Sequence, residues 1–81
     1  MKSYKIRLGS PEGIKDFVSA TSKTACDVHV VSEDTVVDGK SVLALFSLPM
    51  GQPVTIRVDG SDEECKKLLD QLESLSMMID L

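Results

Sequence analysis

The chain has 81 residues, 42% of them hydrophobic and 27% charged, and a formal net charge of −4. That is the balance of one ordinary globular domain, expected over 1–81, and it leaves no room for a second. The negative charge repels phosphate backbones and anionic lipid, which argues against nucleic-acid and membrane-surface partners.

Aromatic residues make up only 4% of the chain and Trp is absent, so the core has to come from Val, Leu, Ile and Met. A domain this small hides only about 60–65% of the surface its unfolded chain exposes. A buried enzyme cleft is hard to fit into such a core, and neither catalysis nor a cofactor is expected. The longest apolar runs, Val42–Phe46 and Met77–Ile79, are too short to span a bilayer. Met1-Lys2-Ser3-Tyr4-Lys5 lacks the apolar stretch of a signal peptide. Cys26 and Cys65 have no Cys-x-x-Cys spacing and read as free thiols packed as small hydrophobes. The expected compartment is the cytoplasm.

Along the chain, Tyr4, Ile6 and Leu8 alternate with Ser3, Lys5 and Arg7, the pattern of a strand with one buried face. Gly9 to Gly13 break it. From Ile14 the spacing turns helical, with Ile14, Phe17, Val18, Thr21 and Ala25 on one face. Asp27 to Ser32 return to strand, Val28 and Val30 on one side, His29 and Val31 on the other. Glu33-Asp34 turns the chain into a short strand, Thr35 to Val37, which Asp38-Gly39 ends.

Ser41 is placed as the N-cap of a short helix from Val42 to Leu48, ended by Pro49, Gly51 and Pro53. Its Leu45 and Leu48 should turn to the core while Val42, Leu43 and Phe46 face outward. Val54, Ile56 and Val58 alternate with Thr55, Arg57 and Asp59 as a strand. Ser61-Asp62-Glu63-Glu64 then reads as a capping box, with carboxylates at the positive pole of the last helix. Cys65, Leu68, Leu69, Leu72, Leu75 and Ile79 form the buried stripe of that helix, which should fray near Met78. The order β-α-β-β-α-β-α, with one apolar face per strand, predicts an α+β open-faced sandwich: a four-stranded antiparallel sheet under three helices.

Two motifs then resemble the histidine-containing phosphocarrier (HPr) family of the bacterial sugar phosphotransferase system. Pro11-Glu12-Gly13-Ile14-Lys15-Asp16-Phe17-Val18-Ser19-Ala20 is similar to the family's Pro-Asn-Gly-Leu-His-x-Arg-Pro-Ala-Ala loop and helix start. Val37 to Leu48 resembles its regulatory segment, Val-Asn-x-Lys-Ser-Ile-Met-Gly-Val-Met-Ser-Leu, and is the more specific match. The stretch between Leu48 and Val54 is shorter than in a typical member. The resemblance implies a phosphate-accepting histidine at a helix N-terminus with an arginine beside it, where helix amides and a guanidinium hold the new charge.

Here Lys15 stands at the histidine position, Phe17 at the arginine and Val18 at the following proline. A lysine is no nucleophile in its charged form, Phe17 offers no hydrogen bond, and Glu12 and Asp16 compete with a phosphate. Catalytic residues are therefore none, and Lys15 and Asp16 read most simply as solvated helix surface. The lone histidine, His29, lies mid-strand and reads as a surface side chain.

By the resemblance, Ser41 is the candidate for phosphorylation, against the plainer role of a cap alone, and Lys15, Phe17, Val42, Leu43 and Phe46 are the candidate partner-binding residues. Gly39-Lys40-Ser41 is no P-loop, because Asp34 stands where its first glycine belongs. The acidic group Asp59, Asp62, Glu63 and Glu64 lacks calcium-ligand spacing, so no metal is expected. The implied function is a regulatory, protein-binding module, similar to the family's catabolite-repression paralogue, as a monomer or weak homodimer. The implied partners are phosphotransferase-system components, an HPr-type kinase or a transcription regulator. Two rivals stand beside it, a phosphocarrier with a non-standard nucleophile and an unphosphorylated structural domain.

Overall fold

The computed structural model describes residues 2–49 and 51–79, so positions 1, 50, 80 and 81 of the expected domain lie outside the described residues. The elements run β1 (Lys2–Ile6), α1 (Pro11–Thr21), β2 (Asp27–Ser32), β3 (Thr35–Asp38), α2 (Val42–Phe46), β4 (Val54–Asp59) and α3 (Asp62–Ser74). The strands form one antiparallel sheet in the order β1-β4-β2-β3. This is the expected α+β open-faced sandwich.

The register explains why one face is covered and the other open. Tyr4, Ile56, Val30 and Val37 form one row across the sheet, and Lys5, Thr55, Val31 and Val36 form the next, pointing the opposite way. Val28, Val30, Val54, Ile56 and Val58 are buried beneath the helices, while Asp27, His29, Arg57 and Asp59 stay exposed. Ile14 and Phe17 from α1, Leu45 from α2, and Cys65, Leu68 and Leu72 from α3 complete the core. Each fully buried Leu, Ile or Phe contributes about 1.5–3 kcal/mol by leaving water.

Two boundaries depart from the periodicity. The first helix starts at Pro11, not Ile14, and Ala25 lies beyond it, exposed, while Ala20 takes the buried place. Ser10 is its N-cap and Pro11 its first residue, a position where a missing N–H costs nothing.

The last helix stops at Ser74, so Ile79 is not on its stripe and Leu75 is 39% exposed. Ser76 takes a left-handed conformation (φ 60). That turn lets the Ser76 N–H donate to the Glu73 carbonyl at 2.9 Å and the Met77 N–H to the Leu72 carbonyl at 3.1 Å. Buried Met77 then seals the helix end. In place of fraying, the tail adds to β1: the Arg7 N–H donates to the Met77 carbonyl (2.9 Å) and the Ile79 N–H to the Lys5 carbonyl (3.1 Å).

Candidate functional site

The start of α1 is closed on itself. The Ser10 Oγ accepts from the Gly13 N–H at 3.1 Å, the Ser10 carbonyl accepts from the Ile14 N–H at 3.1 Å, and Pro11 has no N–H to offer. Lys15 is exposed in the second turn, where its own amide belongs to the helical ladder. The resemblance implies a loop followed by a helix start at this residue. The earlier start removes that geometry, because the free amides of the helix end now lie a turn away and are largely capped.

Phe17 corrects the expectation of a partner-binding residue. Its ring is 0% exposed and belongs to the core. The helical spacing with Ile14 and Thr21 turns it inward, whatever residue the family places there. Asp16, Lys15 and Glu12 are exposed on the helix surface.

The loop into α2 is held from three sides. Thr21, fully buried on α1, donates its hydroxyl to the Gly39 carbonyl at 2.8 Å. The Gly39 N–H donates to the Val28 carbonyl at 2.8 Å. Gly39 presses so closely on β2 that a Cβ there would stand 2.6 Å from Val28 Cγ1, which only glycine allows. Lys40 donates its N–H to Asp38 Oδ1 (2.9 Å) and its Nζ to the Thr24 carbonyl (3.1 Å).

On this support Ser41 caps α2. Its Oγ accepts from the Ala44 N–H at 3.2 Å and its carbonyl from the Leu45 N–H at 3.1 Å. The side chain is half-buried. The helix is shorter than its pattern, ending at Phe46, with the Ser47 hydroxyl bonded back to the Ala44 carbonyl. Leu45 and Leu48 are buried; Leu43 is 85% and Phe46 39% exposed. Val42 sits between these sets, half-buried against the core.

His29 is exposed on the open face, opposite Arg57 of β4 and Asp38 of β3. The helices cover the other face, so no helix end serves it. Among the described residues no three Asp, Glu, His or Cys side chains come together as a metal site, and no helix is long and apolar enough to cross a membrane.

The residues that the sequence reading missed are the anchors. Thr21 falls on the apolar face of its helix by spacing, and nothing in the sequence marks Thr24 or Val28 for a role near Ser41. Their partners lie 11 to 18 residues away in sequence. A threonine on an apolar face, four residues after Phe17, was the one available hint.

A family model described as the PTS HPr component phosphorylation site matches residues 13–77. No curated protein sequence matches the chain. Among solved structures, HPr-C-His from Thermoanaerobacter tengcongensis is 26% identical, with 91% of this chain and 93% of that one covered and a TM-score of 0.71. An HPr dimer from the same organism is 28% identical, covering 84% and 82%, with a TM-score of 0.61. The histidine-containing phosphocarrier protein of a Mycoplasma shares the fold at a TM-score of 0.69 and 12% identity, over 98% and 100% of the two chains.

Proposed function

Because this chain belongs to the HPr family of the phosphotransferase system, we propose that it serves the system as a regulatory docking module and not as a phosphocarrier through position 15. The observation that carries this reading is the contrast around α2: Leu43, 85% exposed, and Phe46, 39% exposed, stand beside the capping Ser41. Large exposed apolar side chains on a braced helix suit a protein partner. Lys15, exposed on α1, and the half-buried Val42 are further candidate contacts in this reading.

Ser41 is the regulatory residue in this reading, modified by an HPr-type kinase. A phosphate on its Oγ adds about −1.5 to −2 charge next to the apolar patch, which draws a partner's arginine and repels an acidic partner. The partners are phosphotransferase-system components, that kinase, or a transcription regulator, met as a monomer or weak homodimer in the cytoplasm.

Incubation with an HPr-type kinase and ATP, followed by mass spectrometric mapping, is expected to place one phosphate on Ser41 and none on the Ser41→Ala protein. Phe46→Ala is expected to fold normally and bind such partners more weakly. An unmodified Ser41 together with a Phe46→Ala protein that no longer folds contradicts the reading and leaves an inward-packed, merely capped helix.

A further inference from the structure

Neither the docking surface nor the phosphorylation site uses the two cysteines, yet the fold brings them into contact. Cys26 stands just before β2 and Cys65 in the first turns of α3, 39 positions later. Their side chains are 0% and 2% exposed, and the sulfur atoms lie 3.6 Å apart. The turn between β4 and α3 is pressed onto the pair: a Cβ on Gly60 would stand 2.5 Å from Cys26 Sγ. A bonded pair of sulfurs sits at about 2.05 Å. The two therefore need to approach by about 1.5 Å, within reach of side-chain rotation and a small shift of the helix end.

We propose that Cys26 and Cys65 are a reversible dithiol–disulfide pair, oxidised by low-molecular-weight disulfides such as oxidised glutathione, whose bond staples α3 to the start of β2. One cysteine sulfur, as thiolate, attacks the small disulfide. A mixed disulfide forms, and one small thiol leaves with the proton that the cysteine lost. The second cysteine sulfur then attacks the protein sulfur of the mixed disulfide, releasing the second small thiol with its proton. Two protein S–H bonds and one small S–S bond become one protein S–S bond and two small S–H bonds. Two electrons pass from the protein to the oxidant.

The packing also sets the pace. Burial pushes the Cys65 thiol above its ordinary pKa, and the hydrogen bond and charge of Cys26 push it the same way. Little Cys65 thiolate forms while the pair is enclosed, so its attack proceeds from a locally opened state in which the first turns of α3 lift. The reduced pair is then a quiet piece of core under reducing conditions, and the oxidised pair closes a loop of 39 positions. It does so next to Thr24, whose carbonyl anchors Lys40 beside Ser41.

The test uses the whole chain, incubated with oxidised and reduced glutathione at graded ratios and quenched by alkylation. The expected product is a monomer that has lost two hydrogen masses, with one linked peptide pair containing Cys26 and Cys65. It should melt higher than the reduced form by about 10 °C or more. The Cys26→Ala and Cys65→Ala proteins should show no such rise on oxidation. Repeating the incubation just below the denaturation midpoint, where α3 opens, should speed the linkage. Free thiols under both conditions, glutathione adducts or intermolecular dimers as the only products, or a linked monomer that melts lower would each overturn the proposal.

Discussion

The two segments that carry the family likeness differ in where their polar groups are satisfied. At the start of α1 the partners are local: Ser10 caps Gly13, and Pro11 has no N–H to offer. At the start of α2 a similar local cap, Ser41 to Ala44, is joined by distant partners: Thr21, Thr24 and Val28 brace the loop from α1, the connection after it and β2, and the helix itself is only five residues long. A helix end that is capped by its own sequence has few free donors for a ligand. A short helix held at its base by distant anchors can leave Leu43 and Phe46 outward without losing its place.

The largest effect that sharpens this contrast is at Phe17. Phe17→Ala should cost about 3–5 kcal/mol of stability in chemical denaturation, because the ring is fully enclosed. Lys15→Ala, two residues away and exposed, should change stability by no more than about 0.5 kcal/mol. Leu72→Ala, at the centre of the α3 stripe, belongs with Phe17 at about 2–5 kcal/mol. An unchanged midpoint in either core variant breaks the account of the fold.

Next comes Thr21→Val, which keeps the shape and deletes the hydroxyl that reaches Gly39. It leaves a buried carbonyl unpaired and should cost about 1–3 kcal/mol. Amide exchange at Ser41 and Ala44 should quicken with it, since the loop loses its anchor on α1. A variant as stable as the parent would mean that the α2 loop needs no such brace.

Smaller still are the caps. Ser10→Ala and Ser41→Ala should each cost about 0.5–2 kcal/mol in thermal or chemical denaturation. Ser76→Gly should run the other way, adding about 0.5–1 kcal/mol, because glycine adopts the left-handed turn at the end of α3 without strain.

How much of this was legible in the sequence depends on the range of the interaction. The strands were plain because alternation is a local pattern and one face is buried: Val54, Ile56 and Val58 read correctly at sight. The α1 boundary was written in Ser10-Pro11, a cap followed by a helix-starting proline, but the glycines on either side hid it. The family's arginine position points Phe17 outward, whereas its spacing from Ile14 turns it inward, and the structure follows the spacing.

The end of α3 was legible only in part. Leu75 and Ile79 continue the helical period, yet the tail leaves it to pair with β1, a contact more than 70 positions away in sequence. Thr21 was equally hidden, since nothing near it announces a carbonyl 18 residues on. In the site, the residue types and their order could be read, and Ser41 with its cap among them. The depth of Leu43, Leu45, Phe46 and Leu48 could be read as well; that of Phe17 and Val42 could not.

Phosphoryl transfer from phosphoenolpyruvate through a competent enzyme I tests the central contrast most directly, on the parent chain and on Lys15→His. The expected result is no acid-labile, base-stable phosphate on either protein, because an imidazole at position 15 would sit in the second helical turn with Phe17 buried beside it and no free helix end before it. Label on the parent that disappears in His29→Ala, or stable label gained by Lys15→His, would contradict the account and return this chain to the phosphocarriers.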